Sequence, residues 1–324
     1  MNFRFTDYPR PVPLSFYEKA LAAMTARLMD SGAVTAVYQV GGISNPGISD
    51  LDMVAVFKNE VAVERNFLEG LTDDERYLFI HNLYGISENN FDEAQEYVFY
   101  FNYKFLAGNE LKIKNAIQDS DLLSMKKQVA LEFLLKFYIT VHLQEEYGVI
   151  RMRDLLLHLK ALQYDLEFLG ITNGIISDGV AHVLQWRNNW FNVPPAKSYV
   201  VKWMNNFLPA LNELADDVFQ NHSLYLPPQQ EYKIAKNIQL IPSSGKITME
   251  RKGMLLPVQL SGFGKKYFRL QNKLNNFRVQ VPVRTDSIPP VLERKFQFEK
   301  KIVAYNKKFL PHFLPLTSSL HATH

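Results

Sequence analysis

Residues 34–57 read VTAVYQVGGISNPGISDLDMVAVF. Two apolar, β-branched runs flank a turn rich in glycine and proline, so the stretch reads as strand, loop, strand. The second run opens with Asp50 and Asp52, one residue apart. Strand side chains alternate with a period of two, so both aspartates project from one face while Leu51 points the other way. Two carboxylates held this close repel each other unless a cation lies between them. Hard oxygen donors suit Mg²⁺, which is commonly held by one or two carboxylates together with substrate phosphates. Just upstream, Gly41 and Gly42 let backbone N–H groups come close to an anion. One short segment thus encodes a phosphate cradle and a metal platform. The plainer alternative is a loop between two buried strands, its aspartates serving as turn and strand-start residues.

The arrangement resembles the signature of the DNA polymerase beta-like nucleotidyltransferase superfamily: an apolar strand, Gly-Gly or Gly-Ser, a short spacer, then Asp-x-Asp on a second strand. Here the strand is Val37-Tyr38-Gln39-Val40, the pair is Gly41-Gly42, and Asp50 and Asp52 precede Met53-Val54-Ala55-Val56-Phe57. The spacer from Ile43 to Ser49 is shorter than is usual in that family. Many members have Ser where this chain has Gly42, and on this resemblance Ser44 takes over its phosphate contact.

The resemblance implies an α/β (α+β) catalytic domain on a mixed sheet. It also implies transfer of a nucleoside monophosphate from an NTP to an acceptor hydroxyl, with release of pyrophosphate. Asp50 and Asp52 would hold Mg²⁺ or Mn²⁺. Gly41 and Gly42, assisted by Ser44 or Ser49, would hold the phosphates. The family adds a third carboxylate on a later strand, which completes one metal site and acts as general base. The leading candidate is Glu110, which opens the run Glu-Leu-Lys-Ile-Lys; Glu88, Asp92 and Glu96 are rivals. In that run Glu110, Lys112 and Lys114 share one strand face, which would let the lysines neutralise phosphate. Exposed lysines at a strand edge are the plainer account of the pair.

Outward from the motif, residues 14–31 read as a helix opened by a Ser15–Glu18 capping box and closed by Gly32. Residues 60–71 look helical, and Thr72–Glu75 is a second capping box for a helix reaching about Asn82. Residues 96–107 and 110–114 read as a hairpin or an interrupted strand. From 120 to 220 apolar residues recur at three and four, predicting a bundle of four helices. Residues 223–289 alternate strand-like and mixed segments, and 290–309 predict a basic, aromatic helix. The expected division is a catalytic domain at 1–118, a helical bundle at 119–222 and a basic α+β extension at 223–324.

The net charge of +3 hides a steep gradient. Residues 1–120 sum to −7, 121–222 to −2 and 223–324 to +12. The last third therefore favours an anionic partner: nucleic acid, a phosphorylated substrate or a membrane surface. Lys265-Lys266-Tyr267-Phe268-Arg269 and Arg294-Lys295-Phe296 interleave cations with aromatics, the pattern that holds single-stranded nucleic acid. A basic helix carrying Phe296, Phe298, Phe309 and Phe313 would equally suit an anionic membrane, and a basic subdomain with its own aromatic core is the structural alternative. The absence of cysteine excludes disulfides, thiolate metal sites and a cysteine nucleophile. No secretion signal opens the chain and no apolar stretch is long enough to span a bilayer, so a cytoplasmic protein is expected. His81, His142, His158 and His182 fall in helical stretches and read as surface or core-edge residues; His321 and His324 fall in the tail. Two other readings stand beside the enzyme: a catalytically inactive relative whose basic third engages the anionic partner, and a toxin that modifies RNA or protein.

Overall fold

The computed structural model describes residues 3–113, 117, 119–229 and 231–317. The protein is mixed α/β. Its elements begin with β1 (Arg4–Thr6), α1 (Leu14–Met29), β2 (Val34–Val40), β3 (Asp52–Phe57), α2 (Asp73–Leu78), β4 (Tyr84–Ser87), α3 (Glu88–Tyr97) and β5 (Tyr103–Gly108). Then come α4 (Asp119–Glu146), β6 (Val149–Arg151), α5 (Met152–Leu169), α6 (Ile175–Asn189), α7 (Lys197–Asn221), β7 (Tyr232–Ala235), β8 (Ile238–Ser243) and β9 (Thr248–Gly253). A 3₁₀ turn (Val258–Phe263), α8 (Lys265–Leu274), β10 (Asn275–Pro282), α9 (Pro290–Phe309) and β11 (Leu314–Pro315) complete the described chain.

The chain divides into two compact units. One holds the described residues up to 9 together with 123–292, the other those of 10–122 together with 293–317. This division differs from the successive domains expected at 118 and 222. The helical stretch and the basic strands belong to one unit, and the last segment belongs with residues 34–57.

In the unit that carries the glycines and aspartates, a mixed five-stranded sheet runs in the order β11-β4-β3-β2-β5. β2 is antiparallel to β3 and to β5, while β4 is parallel to β3 and to β11. Every residue of β2 is buried, as is every residue of β3 except Asp52. Strands covered on both faces read as unbroken apolar runs, which is why this pair was legible in sequence. On one face, Tyr17, Met24 and Leu28 of α1 pack with Val37, Leu51, Met53 and Phe57. On the other, Tyr38 stacks on Phe91 of α3 at 5.4 Å. Phe313 meets Phe57 edge-on at 4.8 Å, tying the last strand to this core.

Several local expectations change. α1 starts at Leu14, capped by extended Pro13 with no side-chain hydrogen bond, so Ser15 lies inside the first turn and forms no capping box. The Thr72 box does form: Thr72 Oγ1 accepts from the Glu75 N–H, and the Glu75 carboxylate accepts from the Thr72 N–H at 2.8 Å. Its helix stops at Leu78, short of Asn82. Residues 60–71 form no helix. Glu60 and Gly70 have positive φ, and Val63, Phe67 and Leu68 are inserted singly into the core. Apolar spacing alone does not separate such a cap from a helix. The aromatic run at 96–107 is split between the end of α3 and β5, and residues 109–113 form no strand.

In the other unit, α4 to α7 match the four predicted helices. α5 ends at Gly170, whose φ of 75° suits glycine. A four-stranded sheet is ordered β7-β8-β10-β9, and β1 pairs with β6. Among the described residues no helix is long and apolar enough to cross a membrane.

Candidate metal centre

The site is built on the loop between β2 and β3. At Gly41 the backbone turns with φ of 70°, a left-handed conformation natural to glycine. A methyl group at Gly41 or Gly42 would meet nothing within 4 Å, so the space above the turn is open. The rest of the loop is tightly held. Tyr17 of α1 donates its hydroxyl proton to the Ser49 carbonyl at 2.7 Å and accepts from the Gly47 N–H at 2.9 Å. Tyr77 of α2 donates to the Gly47 carbonyl at 2.5 Å. Ser49 is buried; its N–H reaches the Asn45 carbonyl and its Oγ accepts from the Asn45 N–H. It therefore shapes the loop where it stands. Ser44 is exposed and donates to Asn45 Oδ1 at 3.3 Å.

Leu51 then anchors the pair. It is 2% exposed, packs in the core, and donates its N–H to the Leu78 carbonyl at 2.9 Å. With Leu51 pinned inward, Asp50 and Asp52 face the other way, as alternation requires. A third group joins them: ligand atoms of Asp50, Asp52 and His81 all lie within 4.8 Å of one another. His81 follows α2 and precedes β4, outside any helix, in contrast to the helical placement expected from sequence. The parallel pairing of β4 on β3 sets Tyr84 opposite Val54 and so brings His81 beside Asp52.

His81 Nδ1 lies 2.6 Å from the Asn82 carbonyl and so carries its proton there. Nε2 lies 2.8 Å from Asp52 Oδ1. Burial pulls the imidazole pKa down, but the hydrogen bond and charge of Asp52, the Asn82 carbonyl and the charge of Asp50 outweigh it, and the net shift is upward. Asp52 Oδ1 is out of contact with water and has no hydrogen-bond donor among the described residues other than a protonated His81 ring. A buried carboxylate oxygen needs a proton or a cation. Two carboxylates and an imidazole nitrogen converging on one point fit a divalent ion. Carboxylate oxygens suit Mg²⁺, and a nitrogen donor would extend the range to Mn²⁺ or Zn²⁺.

Aromatic rings line one side of this group. Tyr84 meets His81 edge-on at 5.3 Å, Phe101 meets Tyr84 at 5.6 Å, and Tyr103 meets Phe101 at 5.9 Å. Burial, then the charges of Asp52 and Asp50, raise the Tyr84 phenol pKa; burial alone raises that of Tyr103. The Tyr103 hydroxyl has no hydrogen-bond partner among the described residues.

Glu110 does not join the cluster. It is exposed in the irregular segment after β5, where the Leu111 N–H donates to Tyr38 Oη at 2.7 Å. Its charge contributes to the raised pKa of the Tyr38 phenol, behind the larger effect of burial. Tyr38 shares a sheet face with Asp52, because Val40 opposes Asp52 and Tyr38 opposes Val54. The segment that carries Glu110 thus reaches the Tyr38 hydroxyl through the Leu111 backbone in place of the expected strand, and it leaves β5 at Gly108, which pairs with Ala36 at the end of β2 away from Asp52. Lys112 is exposed in the same segment, and Lys114 lies outside the described residues. Glu88, Asp92 and Glu96 are carried by α3 and are absent from the cluster.

His142, His158 and His182 are helical, as expected. His142 pairs with Glu145 at 2.7 Å, His158 reaches the Asp154 carbonyl, and His182 meets the Tyr199 hydroxyl. His321 and His324 lie outside the described residues. In the basic third, Tyr267, Lys295, Phe296, Phe298 and Phe313 are all buried. Lys295 pairs with Glu299 at 2.9 Å in the interior. These aromatics, expected to stack on nucleic acid or enter a membrane, therefore serve the protein's own core, while Phe268 and Phe309 are half-buried.

Sequence reasoning missed His81, Tyr17 and Tyr77. A lone histidine and two helix tyrosines carry no local signal; only strand pairing and helix docking bring them to the loop. No family model matches this chain, and no curated protein or solved structure matches it either.

Proposed function

We propose that this protein is a metal-dependent nucleotidyltransferase that moves a nucleoside monophosphate from an NTP to an acceptor hydroxyl and releases pyrophosphate. The observation that carries the reading is the convergence of Asp50, Asp52 and His81 beside an open Gly41-Gly42 turn. Asp50 and Asp52 hold the divalent cation, with His81 as a third donor. When bound, the cation neutralises phosphate charge and templates the donor and acceptor oxygens. Gly41 and Gly42 are exposed, and their backbone amides would hold the phosphates. Tyr17 and Tyr77 keep the loop rigid, so the phosphate and metal positions stay in fixed relation. Glu110 is the residue that would hold the acceptor proton, a role the family resemblance suggests and its charge on Tyr38, which shares a sheet face with Asp52, supports.

A second reading keeps the binding and drops the chemistry. It is favoured by the absence of Glu110 from the converging group, which is closed by an imidazole in place of a third carboxylate. One experiment separates the two. Thermal stability is measured with each NTP, with and without Mg²⁺ or Mn²⁺, and pyrophosphate release is followed in the same mixtures. A ligand that binds only the folded state raises apparent stability. The enzyme reading expects a metal-dependent rise for one NTP, lost in Asp50→Ala/Asp52→Ala, with pyrophosphate release that Glu110→Gln abolishes while the rise persists. A rise without release, unchanged by Glu110→Gln, leaves the binding protein. No rise with any NTP removes both.

A further inference from the structure

Residues 251–285 contain no aspartate or glutamate. Within that stretch, Met254, Leu255, Leu260, Phe263, Leu270 and Leu274 are exposed, Phe263 by 69% and Met254 by 64%. Scattered apolar surface residues need no explanation, but a contiguous exposed patch marks an interaction site. The segments that carry these residues lie side by side. The chain at 254–256 runs beside the second half of α8. The Met254 N–H approaches the Leu274 carbonyl, Asn275 Nδ2 donates to the Met254 carbonyl at 3.1 Å, and Gln271 bonds both backbone groups of Leu256. Leu260 and Phe263 lie on the 3₁₀ turn that Gly264 joins to the start of α8.

The helix is ordered around its axis. At about 100° per residue, Lys273 and Lys266 fall about 60° and 40° to one side of Leu270, while Leu274 and Tyr267 fall about 40° and 60° to the other. Tyr267 and Gln271 are the buried anchor. Cations, exposed leucines and buried anchor thus follow one another around the cylinder. Lys265, Lys266, Arg269 and Lys273 are exposed, and none has an ion-pair partner among the described residues. Arg251, by contrast, is paired with Glu146 at 3.0 Å.

We infer that the 254–274 surface docks this protein on an anionic lipid bilayer. Aliphatic side chains and Phe263 enter the headgroup boundary, and the lysines beside Leu270 meet the lipid phosphates. Charge complementarity selects this occupant: cations without an ion-pair partner among the described residues rim apolar side chains on a stretch of chain that contributes no acidic residue, the composition of an interfacial helix. Single-stranded nucleic acid fits less well. Tyr267 is buried, and Phe268 is half-buried under the Arg151 guanidinium at 5.5 Å, so the rings that would stack on bases are occupied. The surface is also rigid, because Tyr147 holds Asn272 at 2.8 Å and Gln271 holds Tyr267 at 2.8 Å.

The test is vesicle flotation of the full chain. Vesicles of phosphatidylcholine are compared with an equal mixture of phosphatidylcholine and phosphatidylglycerol. The expected result is flotation with the anionic vesicles alone, weakened by salt. Lys266→Gln/Lys273→Gln should lower the partition coefficient roughly fivefold per lysine. Phe263→Ser/Leu270→Ser should abolish flotation. All four side chains are exposed, and melting curves verify that the variants fold. No flotation of the native chain, or equal flotation of native and variant chains, overturns the proposal. So does self-association that Phe263→Ser removes, or binding to a labelled single-stranded RNA, when either occurs without flotation.

Discussion

Replacing Asp165 by asparagine should make the unit that contains it markedly more stable at neutral pH. Asp165 lies on α5, is 6% exposed, and burial pushes its carboxyl pKa up to about 8, from 3.8 when unperturbed. The folded chain therefore keeps a proton that the unfolded chain releases near pH 4. Between these values the unfolded state binds fewer protons, so stability falls as pH rises, the reverse of the behaviour of a salt-bridged aspartate. Each pH unit in that window costs about 1.4 kcal/mol. From about pH 4 to pH 7 the loss is on the order of 4 kcal/mol. Asparagine mimics the protonated acid and carries no such slope. The two proteins should therefore be equally stable at pH 4, with the variant ahead by about 4 kcal/mol at pH 7. Urea unfolding followed by tryptophan fluorescence measures this cleanly, because Trp186, Trp190 and Trp203, the chain's three tryptophans, all lie in the same unit as Asp165. Parallel stability curves for the two proteins from pH 4 to 7 would show that the carboxyl is not held protonated, and the reasoning would fall.

Other consequences follow from single positions. Gly108 has φ of 95°, and a methyl group there would sit 2.1 Å from the Thr35 carbonyl, so Gly108→Ala should cost about 3 kcal/mol or more in urea unfolding by circular dichroism. Gly41→Ala, with positive φ but open space, should cost only about 1–2 kcal/mol; equal losses would refute the steric account. Leu51→Ala should cost about 2–5 kcal/mol and also weaken the metal-dependent thermal shift, since the side chain that aims the aspartates is lost. If stability drops while metal affinity holds, Leu51 does not position the pair. His81→Gln should weaken Mn²⁺ binding about tenfold or more by calorimetry and Mg²⁺ binding less, because the nitrogen donor matters more to manganese. Equal losses for the two ions would remove His81 from the donor set.

The parts of the fold legible in sequence are those whose signal is local. β2 and β3 are apolar on both faces, so their run length alone marks them, and Leu51 between two aspartates fixes which way the carboxylates look. α4 to α7 announce themselves by apolar spacing and by Gly170. The illegible parts depend on what a segment meets far along the chain. Val63, Phe67 and Leu68 look like one helix stripe, yet the Val63 N–H bonds the Phe309 carbonyl, a partner no window around residue 63 contains. The run at 110–114 alternates like a strand, but Leu111 spends its backbone N–H on the Tyr38 hydroxyl. In the basic third, cations and aromatics alternate as they would on a nucleic-acid surface. Composition does not reveal that Lys295 and Phe298 face inward while Phe263 and Leu270 face out.

The location of the candidate site follows from the sheet's topology. β2 ends at Val40, opposite Asp52 where β3 begins and opposite Tyr103 where β5 begins. β4 runs parallel to β3 and so begins at the same edge, which delivers His81 and Tyr84 there. One end of the sheet therefore collects the glycine turn, two carboxylates, an imidazole and a tyrosine hydroxyl, from elements whose other faces are fully committed to the core. An unpaired charge is costly between the covered faces of β2 and β3, and the one charged residue of these two strands, Asp52, stands where β3 starts. The same logic explains why the converging group lacks Glu110. A third carboxylate fixed by β5 would have to replace a residue near Tyr103, and that position is taken by an aromatic ring packed against Tyr38 and Phe91. Glu110 comes from beyond the other end of β5, and its neighbour Leu111 is tethered through its backbone by a hydrogen bond to the Tyr38 hydroxyl, so the position of this segment depends on Tyr38. Tyr38→Phe removes that bond without changing the ring, and it links the architecture of the sheet directly to the question of catalysis.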